Sequence, residues 1–85
     1  MKGFVYVLKS LKDNKSYIGS SSNPKRRLVE HNKGFVKSTK SRAPFIIKYI
    51  IEYEDIKLSR KMELKFKKSH DFLKRELIRR GVVHR

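Results

Sequence analysis

The sequence contains no cysteine, so neither a disulfide framework nor a thiolate metal site is open to it; packing and helix caps must hold the fold. It has no apolar run approaching the ~18 residues of a membrane span. Its N-terminus also lacks the apolar stretch of a signal peptide, so the expected location is the cytoplasm, away from any membrane. There is no internal repeat and no low-complexity linker. Acid is scarce: 8 Asp and Glu stand against 23 Lys and Arg, a formal net charge of +15 over 85 residues. A surplus of that size costs self-repulsion in a small fold and points to a polyanionic partner. The basic residues are spread along the whole chain rather than gathered on one amphipathic helix, which favours a nucleic-acid backbone over a membrane surface. Length suggests one domain, residues 1–85, burying only about 60–65% of the surface its unfolded chain exposes.

What is present reads as six elements. Residues 4–9, FVYVLK, are aromatic and β-branched without a breaker and predict a strand. Phe4, Tyr6 and Leu8 share one face, Val5 and Val7 the other; both faces are apolar, so cover is expected on both sides. A turn at Lys12-Asp13-Asn14-Lys15 leads to a second strand over 16–20, SYIGS, completing a hairpin. Gly19 falls where a Cβ would obstruct an approach to the backbone. Asn23 as cap and Pro24 at the first helical position predict a helix from Pro24 to Lys33, stopped by Gly34. Leu28, with Val29 beside it, anchors that helix in the core. Arg27 and His31, four residues apart, share a face, with His31 at the border of the buried stripe.

Residues 35–44, FVKSTKSRAP, are polar and basic with no period and read as a surface loop that offers Lys37, Lys40 and Arg42 to phosphates. The most apolar stretch, 45–54, predicts a strand over 46–53. Asp55 caps a helix over 57–68 with a buried stripe of Leu58, Met62 and Phe66 and with Glu63 at its flank. Ser69 caps a last helix over 70–80, with Phe72, Leu73, Leu77 and Ile78 inward and Gly81 as the stop. His70 and His84 read as surface residues. The order β-β-α-β-α-α predicts an α/β protein of the α+β type: a small, mainly antiparallel three-stranded sheet flanked by helices.

Val5-Tyr6 on the first strand, Tyr17-Ile18-Gly19 on the second, then Arg27, His31-Asn32 and Gly34, and finally Glu63 on a later helix form a set. This set resembles the GIY-YIG nuclease superfamily, most of all its stand-alone single-domain bacterial branch (the YhbQ/YazA type). A lone YIG is common, but YIG followed by NPKRRLVEHNKG, with a tyrosine strand before and a glutamate helix after, is specific. Two departures stand out. Phe4-Val5-Tyr6 takes the place of Gly-Ile-Tyr while keeping the tyrosine, and His70 to Arg75 holds no asparagine where the family often has one.

The resemblance implies the three-stranded antiparallel fold and a metal-dependent endonuclease acting on DNA. Phosphodiester hydrolysis needs a nucleophilic water, a route for its proton, and charge relief at the phosphate. The resemblance assigns these tasks: Glu63 holds one Mg²⁺ or Mn²⁺, Arg27 holds the scissile phosphate, Tyr6 activates water with Tyr17 as the second tyrosine, and His31 orients water, contacts phosphate or moves a proton. Arg26, Lys37, Lys40 and Arg42 are the candidate backbone contacts. Read from spacing alone, the same residues are bland: Glu63 pairs in solvent with Lys67 at i+4, the tyrosines are core, and His31 is a satisfied helix-border residue. Without a second domain to read sequence, a nuclease of this size is expected to favour DNA structure, as repair or recombination requires. A nucleic-acid-binding module without catalysis is the alternative. A small RNA- or ribosome-associated protein would rest on charge and size alone.

Overall fold

The structure is a computed structural model that describes residues 1–83; His84, expected at the surface, lies outside them. Strand β1 is Gly3–Ser10, β2 Ser16–Ser21, helix α1 Pro24–Asn32, β3 Phe45–Tyr53, α2 Ile56–Lys68 and α3 His70–Arg79. The sheet order is β2-β1-β3, and both pairings are antiparallel. This is the expected β-β-α-β-α-α arrangement.

The two apolar faces of the first strand explain its central place. Tyr6 and Leu8 pack with Phe45, Leu28 and Ile47 on one face of the sheet. Val5 and Val7 pack with Ile18, Ile51 and Tyr53 on the other, under Phe66 of α2 and Leu73 and Leu77 of α3. Only a strand with neighbours on both edges and layers on both faces buries four consecutive side chains, as Val5 to Leu8 are buried.

Local chemistry sets the helix ends as expected. The Asn23 side chain accepts from the Arg26 N–H at 3.1 Å, Asp55 from Leu58 at 2.7 Å, and Ser69 from Phe72 at 3.1 Å. Gly34 takes φ of +79° after α1, so its own N–H reaches the His31 carbonyl and the next N–H, of Phe35, reaches the Glu30 carbonyl.

Two expectations fail. Val29 is 50% exposed rather than part of the core. Helix α1 meets the sheet along a narrow line through Pro24, Leu28 and His31, and the residue after Leu28 turns about 100° away from it. Nor is 35–44 simply a surface loop. Thr39 within it is fully buried, and Lys40–Arg42 form a 3-10 turn tied to the β1–β2 hairpin. Ser10 Oγ donates to the Arg42 carbonyl at 2.5 Å, and the Arg42 guanidinium binds Asp13 at 2.7 Å. Asn32 closes the other end of the loop. Its amide donates to the Phe45 carbonyl at 3.0 Å and accepts from the Phe45 N–H at 2.6 Å, which starts β3 one residue earlier than expected. Among the described residues, no helix is long and apolar enough to cross a membrane.

Candidate active site at the β2 edge

Among the described residues strand β2 pairs with β1 alone, which leaves it an edge strand, and the candidate residues gather around that edge from both faces of the sheet. On the α1 side, Tyr6 of β1 lies directly opposite Gly19 of β2. A Cβ at Gly19 would overlap the Tyr6 hydroxyl and ring, so the glycine lets the phenol lie across the β2 backbone. The Tyr6 hydroxyl is 3.1 Å from His31 Nε2. His31 is fully buried, deeper than the border position its spacing suggested. Its Nδ1 is 2.6 Å from Thr39 Oγ1. Tyr17 is half-buried, its ring 6.5 Å from that of Tyr6 and 5.0 Å from His31, centroid to centroid. Arg27 sits one turn before His31 on α1 and donates to Glu30 at 2.7 Å.

On the α2 side, Glu63 projects towards Ser20 of β2. Its side chain is 3% exposed, against the solvated position that spacing alone suggests. Ser20 donates to Oε1 at 2.5 Å, Arg60 to the same oxygen at 3.1 Å, and Lys67 pairs with Oε2 at 2.6 Å. The Lys67 ammonium also lies 5.6 Å from the centre of the Tyr17 ring, so it spans the β2 edge and joins the two halves of the site.

Electrostatics fix the resting protonation. Burial raises the Tyr6 hydroxyl above its ordinary value, opposed by the neighbouring Arg27 guanidinium. Burial and the Arg27 charge push His31 down, with Glu30 opposing them. At neutral pH the pair is therefore a neutral phenol against a neutral imidazole. For Glu63, burial is the largest influence and acts upwards, but the hydrogen bonds from Lys67 and Ser20 with the Lys67 and Arg60 charges together outweigh it. The carboxylate stays ionised. Elsewhere, Arg42 holds Asp13 at about 2, and Arg79 and Arg80 hold Glu76 below its usual range.

These shifts set an acid profile for stability. A depressed histidine binds its proton first in the unfolded chain, so a shallow loss begins below about pH 6.5. The depressed carboxyls contribute stability above about pH 4 that is lost as pH falls through their folded values. Melting temperatures followed by circular dichroism are expected to be flat from neutrality to about pH 9, to decline gently below about pH 6.5 and to fall steeply below about pH 4. A constant melting temperature down to about pH 3 contradicts these assignments.

The structure thus brings Tyr6, Tyr17, Arg27 and His31 into one cluster and links Glu63 to it through Lys67 and Ser20. The outer basic residues divide. Arg26, Lys37 and Lys40 are exposed, whereas Arg42 is held by Asp13 and lies 5.6 Å over the Phe45 ring as a structural clip. Thr39 had no signal in the sequence, being one polar residue in an aperiodic stretch. Among the described residues, no group of three or more His, Asp and Glu side chains gathers for a metal. The donors at hand, the Glu63 carboxylate beside the Ser20 hydroxyl, are hard oxygens. They suit a cation that keeps most of its waters and takes the rest of its shell from phosphate.

A family model described as the GIY-YIG catalytic domain matches residues 2–76, from β1 into α3. The solution NMR structure of the UPF0213 protein BH0048 from Bacillus halodurans is similar, with a TM-score of 0.52 and 26% identity over 92% of this chain and 83% of that one. No curated protein matches. The family model spans every residue of the β2-edge cluster and most of the chain, so the protein belongs to the GIY-YIG nuclease family.

Proposed function

We propose that the protein, acting as a single domain in the cytoplasm, is a metal-dependent endonuclease that hydrolyses DNA phosphodiester bonds at the β2 edge. The observation that carries this reading is the junction made there: a buried, ionised carboxylate on one side of the edge, a phenol–imidazole pair with a guanidinium on the other, and Lys67 between them. Glu63, with Ser20, would hold one Mg²⁺ or Mn²⁺, Lys67 and Arg60 giving up their contacts with the carboxylate; when bound, such an ion would draw charge from phosphate oxygens and make water more acidic.

The chain's own groups do the rest. Arg27 turns from Glu30 to the scissile phosphate, where its planar fork neutralises growing charge. That movement opens the Tyr6 hydroxyl to the attacking water. Tyr6 accepts the water proton as its own passes to His31 Nε2, so the phenol never stands as a free base far from its ordinary value of about 10. Tyr17, half-buried, lines the approach from solvent. Arg26, Lys37 and Lys40 contact the flanking backbone, while Arg42 stays on Asp13.

DNA binding is accordingly expected to weaken steeply with salt. Cleavage by this domain is expected to follow DNA structure, as in repair or recombination. The test is to map cut positions on single-stranded, duplex, flapped and branched DNA in Mg²⁺, Mn²⁺ and EDTA. Metal-dependent cuts clustered at junctions support the reading, and a short strict recognition sequence at the cut sites contradicts the structural preference. One observation favours a second reading: both Glu63 oxygens are already bound by protein groups. Tight, salt-sensitive binding with no cutting under any divalent ion would make the protein a non-catalytic module of the same fold.

A further inference from the structure

Thr39 has no role in the reaction as described, yet it is completely buried, as is the histidine it meets. Its hydroxyl has two neighbours, His31 Nδ1 at 2.6 Å and the Val36 carbonyl at 3.4 Å. A carbonyl only accepts, and a hydroxyl has one hydrogen to give: with it on the Val36 carbonyl, which also takes the Thr39 N–H at 3.1 Å, the Thr39 lone pairs face His31. In that arrangement His31 carries its proton on Nδ1. The neutral ring then has a bare Nε2, and among the described residues the polar group against it is the Tyr6 hydroxyl at 3.1 Å, which donates in this arrangement. The chain Tyr6 O–H to Nε2, Nδ1–H to Thr39, Thr39 O–H to Val36 has a single direction.

We propose that Thr39 is a positioning residue that fixes His31 as the Nδ1–H tautomer and so presents an accepting nitrogen to the Tyr6 hydroxyl. The proposal rests on the nuclease reading for its purpose but not for its test. With the opposite tautomer, Nε2–H would donate to the Tyr6 oxygen and the imidazole could not receive a proton from it. The step needs no other reactant: a water proton moves to the phenol oxygen, the phenol proton moves to Nε2, and the products are hydroxide, an intact phenol and an imidazolium.

The experiment is long-range ¹H–¹⁵N correlation of the His31 ring at neutral pH in the wild-type protein, Thr39→Val and Thr39→Ser, without substrate. The expected result is the Nδ1–H pattern in wild type and Thr39→Ser, and a measurable Nε2–H population in Thr39→Val. In cleavage, Thr39→Val is expected to lower kcat about 10- to 100-fold with little change in KM, and Thr39→Ser to restore it. A purely structural role would lower the melting temperature of Thr39→Val without moving the tautomer. An Nε2–H ring in wild type, or an unchanged ring in a folded Thr39→Val, overturns the proposal. Because the spectra need no DNA, a wild-type protein that does not cut would count against the nuclease reading while the tautomer still decides the role of Thr39.

Discussion

Glu63→Ala is expected to remove metal-dependent DNA cleavage, by about 10³-fold or more, equivalent to roughly 4 kcal/mol of lost transition-state stabilisation, while DNA binding persists. The carboxylate is the buried acid on the α2 side of the β2 edge, whereas the other acid that touches the cluster, Glu30, lies on α1 and is paired with Arg27. Binding survives because the substitution removes a negative charge from a chain that already carries +15, so affinity stays the same or rises. The fold is expected to survive as well. Lys67 and Arg60 are 43% and 62% exposed at their side chains, so they rejoin water when their partner goes, and Ser20 loses one acceptor at the sheet edge. Glu63→Gln refines the test: it keeps the volume and an acceptor for Ser20 but not the charge, and should fail to cut almost as completely. Cleavage at the wild-type rate in both variants removes Glu63 from the reaction.

Gly19→Ala is expected to lower kcat about 100-fold without weakening DNA binding, although alanine is the smallest change available. The added Cβ falls where the Tyr6 hydroxyl lies, so the phenol must swing away from His31 and break the 3.1 Å contact. The ring is crowded on its other sides, with Tyr17 and His31 centroids at 6.5 and 5.9 Å. Overpacking of this kind costs typically about 1–3 kcal/mol of stability, which unfolding in urea would read. Tyr6→Phe should reduce cleavage comparably, and the double variant should be little worse than either single one, because both act on the same hydroxyl. A Gly19→Ala protein that cuts normally means that the Tyr6–His31 contact is not used.

The elements were legible because local chemistry fixes their ends. Asn23-Pro24, Asp55 and Ser69 announce helix starts through hydrogen bonds three residues long, and Gly34 announces a stop through its left-handed backbone. The apolar character of both faces of FVYVLK likewise announced a strand covered on two sides. The site was legible only in part. Spacing placed Arg27 and His31 on one face of α1, but how deep that face sinks depends on β1 and on the loop that folds over it. The burial of Thr39 depends on His31, eight residues earlier, and the Arg42–Asp13 clip joins residues 29 apart. Neither leaves a periodic trace. Glu63 makes the same point most sharply. Its i+4 pairing with Lys67 looks like an ordinary exposed helix pair, and only its approach to Ser20 of β2, 43 residues away in the chain, turns it into a buried carboxylate that Lys67 links to Tyr17.

Whether Glu63 serves a nuclease site is decided by comparing wild type and Glu63→Ala side by side on end-labelled branched and duplex DNA, in Mg²⁺ and in EDTA, with binding read on the same samples. Wild type is expected to cut in Mg²⁺ and not in EDTA, Glu63→Ala not to cut, and both to bind DNA with similar, salt-sensitive affinity. Tight binding by the wild type with no cutting in Mg²⁺, or equal cutting by both proteins, would mean that Glu63 does not serve a nuclease site.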